Sequence, residues 1–383
     1  MNRHIALLHR IIRTITSVLL ASSIAAAGMQ PAIATQGRPA AAATGGLKAK
    51  LVKGGLNDPA AFTFTPKGLI YYLERGTGEV RILNPKTGAD RRFFKVPGVN
   101  GAGERGALGI DLHPAWPAKP FVYVFATRSV GGSLRNTVIR IRANKGHGVS
   151  FTTLVQAPAS SDPYHNGGRI LFGPDRKLYV FIGDGHDSAN AQDLKANLRG
   201  KMLRMNPDGS IPATNPFKGS RVWAYGVRNS FGFTFDPLTG RLWETENGPN
   251  CNDEINLLTA HGNFAWGAKE SCGSAPTPRD TNNSGARPRH LPKLWFKKTI
   301  GITGNAFCRG CGLPAKYEGK MFFGGVNGVG ALRVLGLNGA RTAVSGGSSA
   351  VLKSPGGVIY SMESAPNGGI YFSDSNAIYR VAG

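Results

Sequence analysis

Residues 170–184 read Ile170-Leu-Phe-Gly-Pro-Asp-Arg-Lys-Leu-Tyr-Val-Phe-Ile-Gly-Asp184. Two short runs of β-branched and aromatic residues flank a Gly-Pro-Asp turn, and the second run ends near an acid. Val, Ile, Tyr and Phe suit a pleated, half-buried surface, and Pro with Gly or Asp closes a tight connection between strands. The unit is a hairpin, and it recurs. Phe62–Glu74 carries it around Pro66 and Gly68, and Gly78–Leu83 adds a further strand. Leu108–Pro114 with Phe121–Ala126 is a second copy, and Gly232–Pro237 with Gly240–Glu246 a fourth. A worn fifth surrounds Met321-Phe-Phe-Gly and Ala331–Leu335, and Val358–Asp374 with Ala377–Val381 closes the series. Repeats every 45–65 residues describe sheets rather than isolated hairpins, and radial packing protects the edges of such sheets. The expectation is an all-β chain: a six-bladed β-propeller of four-stranded antiparallel sheets over residues 47–383. Two sandwich domains fit less well, because the repeats run evenly with no linker between them.

Composition agrees. The 53 Gly and 24 Pro among 383 residues supply many turns and argue against a helical bundle or a coiled coil, while 41% hydrophobic residues can fill a core. Lys and Arg exceed Asp and Glu by 46 to 22, a net charge of +24, so anionic surfaces or ligands are expected partners. An anionic cell envelope suits better than nucleic acid, because the N-terminus reads as an export address. Arg3, Arg10 and Arg13 precede an acid-free apolar stretch from Thr14 to Ala27, followed by small-residue cleavage signals ending at Ala27 and Ala34. That stretch is short of the roughly 20 residues a spanning helix needs. Residues 1–34 are expected to be a signal peptide and 35–46 a flexible leader, giving a secreted or periplasmic mature chain without a transmembrane segment. One short helix is expected at Asp193–Met202 and a long inserted loop at 271–292. The four cysteines allow three disulfide connectivities; the expected pairs are Cys251–Cys272 and Cys308–Cys311, as loop staples.

Six segments fall just after these strands: Gly103-Glu104-Arg105-Gly106, His165-Asn166-Gly167-Gly168-Arg169, Gly183-Asp184-Gly185-His186, Gly226-Val-Arg228-Asn229, Glu246-Asn-Gly248-Pro249 and Asp253-Glu254-Ile-Asn256. In this order and spacing the chain resembles the glucose/sorbosone dehydrogenase family, soluble six-bladed propellers that use pyrroloquinoline quinone (PQQ) and calcium to oxidise aldoses. The resemblance is close from about Leu51 to Gly267 and looser beyond. It implies that His165 is the base taking the C1 hydroxyl proton, a task suited to an imidazole near neutral pH. It implies that Asp184 holds that imidazole, and that Arg228 and Asn229 bracket the quinone. Arg228 would stabilise charge developing on the quinone oxygen, and Glu104 stands where the family makes a polar contact to the cofactor. The carbonyls of Gly248 and Pro249 would ligate the calcium that clamps the quinone, and Glu254 with the Phe264 backbone a second, structural calcium. His186 matches no motif and reads as a surface loop residue.

The sequence also departs from the family pattern. Asn327 stands where a fifth-blade lysine is expected, and Ser354-Pro355-Gly356 replaces a sixth-blade arginine pair. Lys316, Lys320, Lys353 and Arg309 are the candidate substitutes for those cations. The function implied is oxidation of the C1 hydroxyl of an aldose by hydride transfer to PQQ, with a sugar substrate and an external electron acceptor. The alternatives are a non-catalytic calcium-binding propeller for a sugar or other anionic ligand, and a lactonase-type hydrolase built on carboxylates such as Glu104, Asp184 and Glu246.

Overall fold

The computed structural model describes residues 35–36, 46–195, 197–267, 283, 285–328 and 330–383. It has six antiparallel four-stranded sheets arranged as the blades of a propeller. Blade one comprises Pro59–Phe64, Ile70–Glu74, Glu79–Leu83 and Asp90–Lys95. Blade two comprises Ala107–Leu112, Phe121–Val130, Ser133–Asn144 and His147–Pro158. Blade three is built from Ile170–Phe172, Leu178–Ile182, Lys201–Met205 and Val222–Tyr225, and blade four from Ser230–Phe235, Leu242–Glu246, Asp253–Leu258 and Leu294–Phe296. The worn fifth repeat is a complete blade of Ile302–Phe307, Met321–Gly325, Ala331–Leu337 and Val344–Lys353. A two-residue strand, Thr35–Gln36, adds parallel to Leu294 and Trp295 at the edge of blade four.

Blade six shows how the ring closes. Ser361–Ser364, Ile370–Ser373 and Ile378–Ala382 come from the C-terminal end, and Lys48–Lys53 from the other end of the fold pairs with Ile378–Ala382 as its outermost strand. The two ends of the propeller are hydrogen-bonded to each other, which closes the ring.

Strand periodicity explains why the blades stack. Successive side chains point to opposite faces, and here each face meets a different neighbour. Tyr71 and Leu73 pack toward blade two, while Ile70 and Tyr72 pack toward blade six. Trp243 faces blade five, whereas Leu242 faces blade three. Each of the six junctions has its own cluster of buried apolar residues among the described residues. The hairpin repeats therefore read as largely apolar runs, since both faces of the inner strands are covered.

The helix lies earlier than its sequence expectation. Ala189–Gln192 forms a single turn and Asp193 is already extended. The chain from Lys201 is claimed by the third strand of blade three, where Lys201–Met205 pairs with both neighbouring strands. Cys308 and Cys311 are bonded to each other. Cys251 is also disulfide-bonded, while Cys272 lies outside the described residues. So do residues 1–34, expected to be a signal peptide, and most of the expected long loop; its residues 285–292 carry no helix or strand. Among the described residues no helix is long and apolar enough to cross a membrane.

Closure should be measurable. Leu47 is 7% exposed and packs into the junction of blades five and six, whereas Leu51, on the closing strand itself, is 59% exposed. Leu47→Ala is expected to cost about 2–4 kcal/mol in urea unfolding, and Leu51→Ala under about 0.5 kcal/mol. Equal losses would contradict the closure described.

Candidate functional site

The first strand of every blade starts on one face of the ring, and the second ends there. Loops before first strands and after second strands therefore meet around one tunnel mouth, which carries five of the six sequence segments; Asp253–Asn256 lies in the third strand of blade four. His165 precedes Ile170, Asp184 follows Ile182, and Arg228 and Asn229 precede Ser230. The second strand of blade four ends at Glu246, two residues before Gly248.

His165, Asp184, His186, Arg228, Pro249, Asn250 and Trp266 line a cavity of about 290 Å³. Within it, His165 Nδ1 lies 2.8 Å from Asp184 Oδ1. Asp184 is 1% exposed and accepts two further bonds. Trp266 Nε1 donates to its Oδ2 at 2.7 Å, and the His186 backbone N–H to its Oδ1 at 2.9 Å. A buried carboxylate with three donors is held in one position, and it holds the imidazole in turn. With Nδ1 committed to Asp184, His165 has its Nε2 free for other chemistry. His165 also keeps a left-handed backbone, φ +55°, which lets its carbonyl accept from the Gly185 N–H at 3.1 Å.

Glu104 and Asn229 form the tunnel side. Glu104 Oε2 accepts from the His165 N–H at 2.9 Å and from Asn229 Nδ2 at 3.0 Å, while Asn229 Oδ1 accepts from the Gly167 N–H. Beyond Glu104 lies a second cavity of about 270 Å³, walled largely by apolar groups such as Leu108, Phe231, Val326 and Val358, with Arg75 and Arg169 among its lining. Arg169 is buried and donates to Phe231 O, Tyr360 O and Ser361 Oγ at 3.0–3.2 Å, so it braces the inner strands of three blades against one another. Burial pushes its guanidinium down to about 10.

Arg228 turns its guanidinium toward the Gly248 loop rather than toward an acid. Its Nη1 donates to Asn247 O at 2.9 Å and Gly248 O at 3.1 Å, its guanidinium lies 5.4 Å from the Trp266 ring centre, and its backbone N–H bonds Glu246. Burial pushes this guanidinium below its usual range, against Asp184 and Glu246, which favour its charge. Arg228 Nε is buried with no partner among the described residues. At Gly248 an added Cβ would lie 1.9 Å from Cys251 O, so only glycine fits. Asp253 Oδ1 fixes the loop by accepting the Gly248 N–H.

These residues suit the groups the resemblance implies. Backbone carbonyls such as those of Gly248 and Pro249 are the hard, neutral oxygens calcium takes; that of Gly248 accepts from Arg228 in this structure. The unpartnered Nε of Arg228 suits an anionic quinone; Arg75 and Arg169 line the next cavity, but Arg75 is paired with Asp58 at 2.7 Å and Arg169 donates to backbone carbonyls and Ser361. The substitutes for the missing cations are not those the sequence suggested. Arg309, Lys316 and Lys320 follow the first strand of blade five and so lie at the opposite end of the tunnel. Lys353 shares the site's face but is exposed on an outermost strand. Asn327 is exposed, and Ser354 is buried toward Asp374.

Glu254 belongs to a different cluster. Glu244, Glu246 and Glu254 each place a carboxylate oxygen 3.1–3.3 Å from Asn256 Nδ2, inside the face that blade four turns away from blade five. Phe264, nearby in sequence, has its carbonyl bonded by Asn283. Burial, opposed by Asn256, pushes Glu244 up to about 8; burial together with the Glu244 and Glu254 charges raises Glu246 well above the usual range. Carboxylates are the hard oxygens calcium takes, but here the three surround the Asn256 amide rather than converge on one point.

The sequence reading missed Trp266 and Arg75 and gave Arg169 no role; His186, read as a surface loop residue, is exposed in a loop. Trp266 stands two residues beyond Phe264 in a stretch read only for its backbone. What the sequence did not show is that the His186 ring centre lies 4.3 Å from that of His165.

The glucose/sorbosone dehydrogenase family model matches residues 56–380, and the chain belongs to that family. It is 36% identical over 256 residues to quinoprotein glucose dehydrogenase B of Acinetobacter calcoaceticus, covering 57% of this chain and about half, 53%, of that protein. It is 27% identical to the aldose sugar dehydrogenase YliI of Escherichia coli over 82% of this chain and 86% of that one. The PQQ-bound aldose sugar dehydrogenase of Streptomyces coelicolor superposes with a TM-score of 0.74 at 28% identity, covering 88% of this chain and 97% of that chain.

The carboxylate cluster generates a prediction. Acids with raised folded-state pKa values keep protons that the unfolded chain releases, so stability is full below the ordinary value of 4.5 and declines as pH rises toward about 8. In chelator, the melting temperature is expected to fall by roughly 5 °C over that window. Calcium should abolish the fall, and Glu244→Gln should reduce it. A flat profile in chelator would remove the cluster as a cation site.

Proposed function

We propose that the protein is an exported PQQ- and calcium-dependent dehydrogenase that oxidises the C1 hydroxyl of aldose sugars and passes electrons to an external acceptor. The observation carrying this reading is the fixed His165–Asp184 pair beside Arg228 in one cavity. Family membership supports an oxidoreductase of sugars.

His165 removes the C1 hydroxyl proton through Nε2, the nitrogen its bond to Asp184 leaves available. Asp184 fixes the tautomer and stabilises the imidazolium, and Trp266 keeps Asp184 from turning. Arg228 and Asn229 hold the quinone edge, Glu104 makes a polar contact on the tunnel side, and the carbonyls of Gly248 and Pro249 hold calcium. When bound, the quinone supplies the two-electron acceptor for the hydride leaving C1. Arg228, buried and cationic, stabilises the negative charge that this transfer creates. Glu254 and the Phe264 backbone serve a structural cation away from the reacting centre. The excess of basic residues, +24, supports residence at an anionic envelope surface outside the cytoplasm.

A second reading, a calcium-binding propeller without redox chemistry, is favoured by one observation: Asn327, Ser354 and Gly356 at the places where cations are expected. One experiment separates the two. The mature protein is reconstituted with calcium and PQQ, and dye-linked oxidation of several aldoses is followed. Wild type is expected to turn over, and His165→Ala to lose on the order of 10²–10⁴ in kcat, with Asp184→Asn close behind. Failure to retain PQQ at micromolar concentration, with no sugar oxidised, would replace the dehydrogenase by the binding propeller.

A further inference from the structure

Any base that takes a proton must lose it before the next turnover, and the surroundings of His165 restrict how. Its Nδ1 is committed to Asp184. That carboxylate is enclosed, with Oδ1 accepting from His165 and the His186 N–H and Oδ2 from Trp266. The Asp184 backbone N–H bonds the Arg228 carbonyl, which seals the carboxylate's own loop against blade four. A proton cannot pass through Asp184 to water, so it must leave through Nε2. The His165 side chain itself is only 8% exposed.

His186 stands beside it. The two ring centres are 4.3 Å apart with planes inclined by 51°, and both side chains line the same cavity. The His186 side chain is 45% exposed and its Nδ1 is paired with Asp162, itself 38% exposed. The arrangement is a second histidine–aspartate pair, set between the buried one and bulk water. It is also built. Arg105 Nη2 donates to the carbonyls of Ser160 and Asp162, both at 2.7 Å. The Ser160 hydroxyl lies 3.0 Å from Gly185 O, and Asp162 Oδ1 accepts the Tyr164 N–H. His186 keeps a left-handed backbone at φ +63°, a conformation few side chains adopt without support. The charged and titratable groups facing it are Asp162, Asp184, His165, Arg228 and, at 6.5 Å between ring centres, Tyr164.

We propose that His186 is the proton exit of the site, relaying the proton from His165 to solvent. The inference rests on the dehydrogenase reading. In the oxidation the C1 hydroxyl O–H bond breaks and its proton goes to His165 Nε2. The C1–H bond breaks with its electron pair, which leaves as hydride to the quinone oxidant, and the C1–O bond becomes a carbonyl. His165 then gives the Nε2 proton to His186 Nε2, directly or through one water, and His186 gives it to buffer. Asp162 holds the ring so that Nε2 is the nitrogen in use. Nothing at His186 is oxidised or reduced.

The test uses the reconstituted holoenzyme and His186→Asn, since asparagine tolerates the left-handed backbone and carries no proton near neutral pH. In dilute buffer kcat is expected to fall about tenfold with KM unchanged, and concentrated imidazole should restore it. Asp162→Asn, which keeps an acceptor for Tyr164 N–H, should act in the same direction. Nuclear magnetic resonance of ring-labelled histidines in cofactor-free protein gives a readout independent of turnover. With the relay removed, His186→Asn should slow exchange of the His165 ring N–H with solvent. An unchanged kcat in dilute buffer overturns the relay. So does a raised KM without imidazole rescue, which would assign His186 to sugar binding. If wild type oxidises no aldose, the dehydrogenase reading fails, and ring N–H exchange alone decides, with exchange unchanged in His186→Asn overturning the relay.

Discussion

The carboxylate of Asp184 is the interaction on which the site depends. A carboxylate 1% exposed is costly to bury, and it persists because three donors converge on it, each charge-assisted bond contributing roughly 1.5–3 kcal/mol. Those donors come from separate stretches of chain: the turn at His165, the turn at His186, and Trp266 beyond the third strand of blade four. Among the described residues Asp184 forms no ion pair with a Lys or Arg, although its charge favours that of Arg228. Its charge therefore acts on the His165 imidazole, and rigid anchoring gives that effect a fixed direction.

The propeller makes this convergence possible. Each blade buries both faces against its neighbours, and the junction clusters fix blade against blade. Loops on one face are then held from below by a frame that does not flex with them. Arg169 contributes from inside the tunnel, where a single guanidinium binds the inner strands of blades four and six. Asp253 does the equivalent between blades four and five, accepting from Gly248 and Ile300. These polar braces cost desolvation but fix the mouth of the tunnel to within hydrogen-bond tolerance.

Charge is distributed unevenly around that mouth. The sequence carries a large positive excess, yet beneath the Gly248 loop three buried glutamates share one amide. A cation there would relieve their mutual repulsion and stiffen the strand that ends at the Gly248 turn. Arg228 occupies the other side of that turn on neutral carbonyls. Local electrostatics at the site thus run opposite to the surface charge, and each is understood separately: the surface sets where the protein resides, and the buried groups set what it can hold.

Much of this was legible in the sequence. Apolar hairpin runs with Pro/Gly/Asp turns determine blades, because strands that bury both faces need mostly apolar residues and turns need special backbone. The order of the His165, Asp184, Arg228 and Gly248 motifs determined which loops gather at the mouth, because each sits at the same end of its blade. The sequence could not show that Trp266 and His186 complete the Asp184 carboxylate, nor that Arg75 and Arg169 rather than Lys316, Lys320 or Arg309 line the tunnel. It placed a helix at Asp193–Met202, where the third strand of blade three begins. The reason is physical: strand and turn preferences are local and are written in adjacent residues. Which donor reaches a buried acceptor, and at which end of a tunnel a cation lies, depends on separations of 82 residues, as between Trp266 and Asp184. Only the closed ring of six blades brings such residues together.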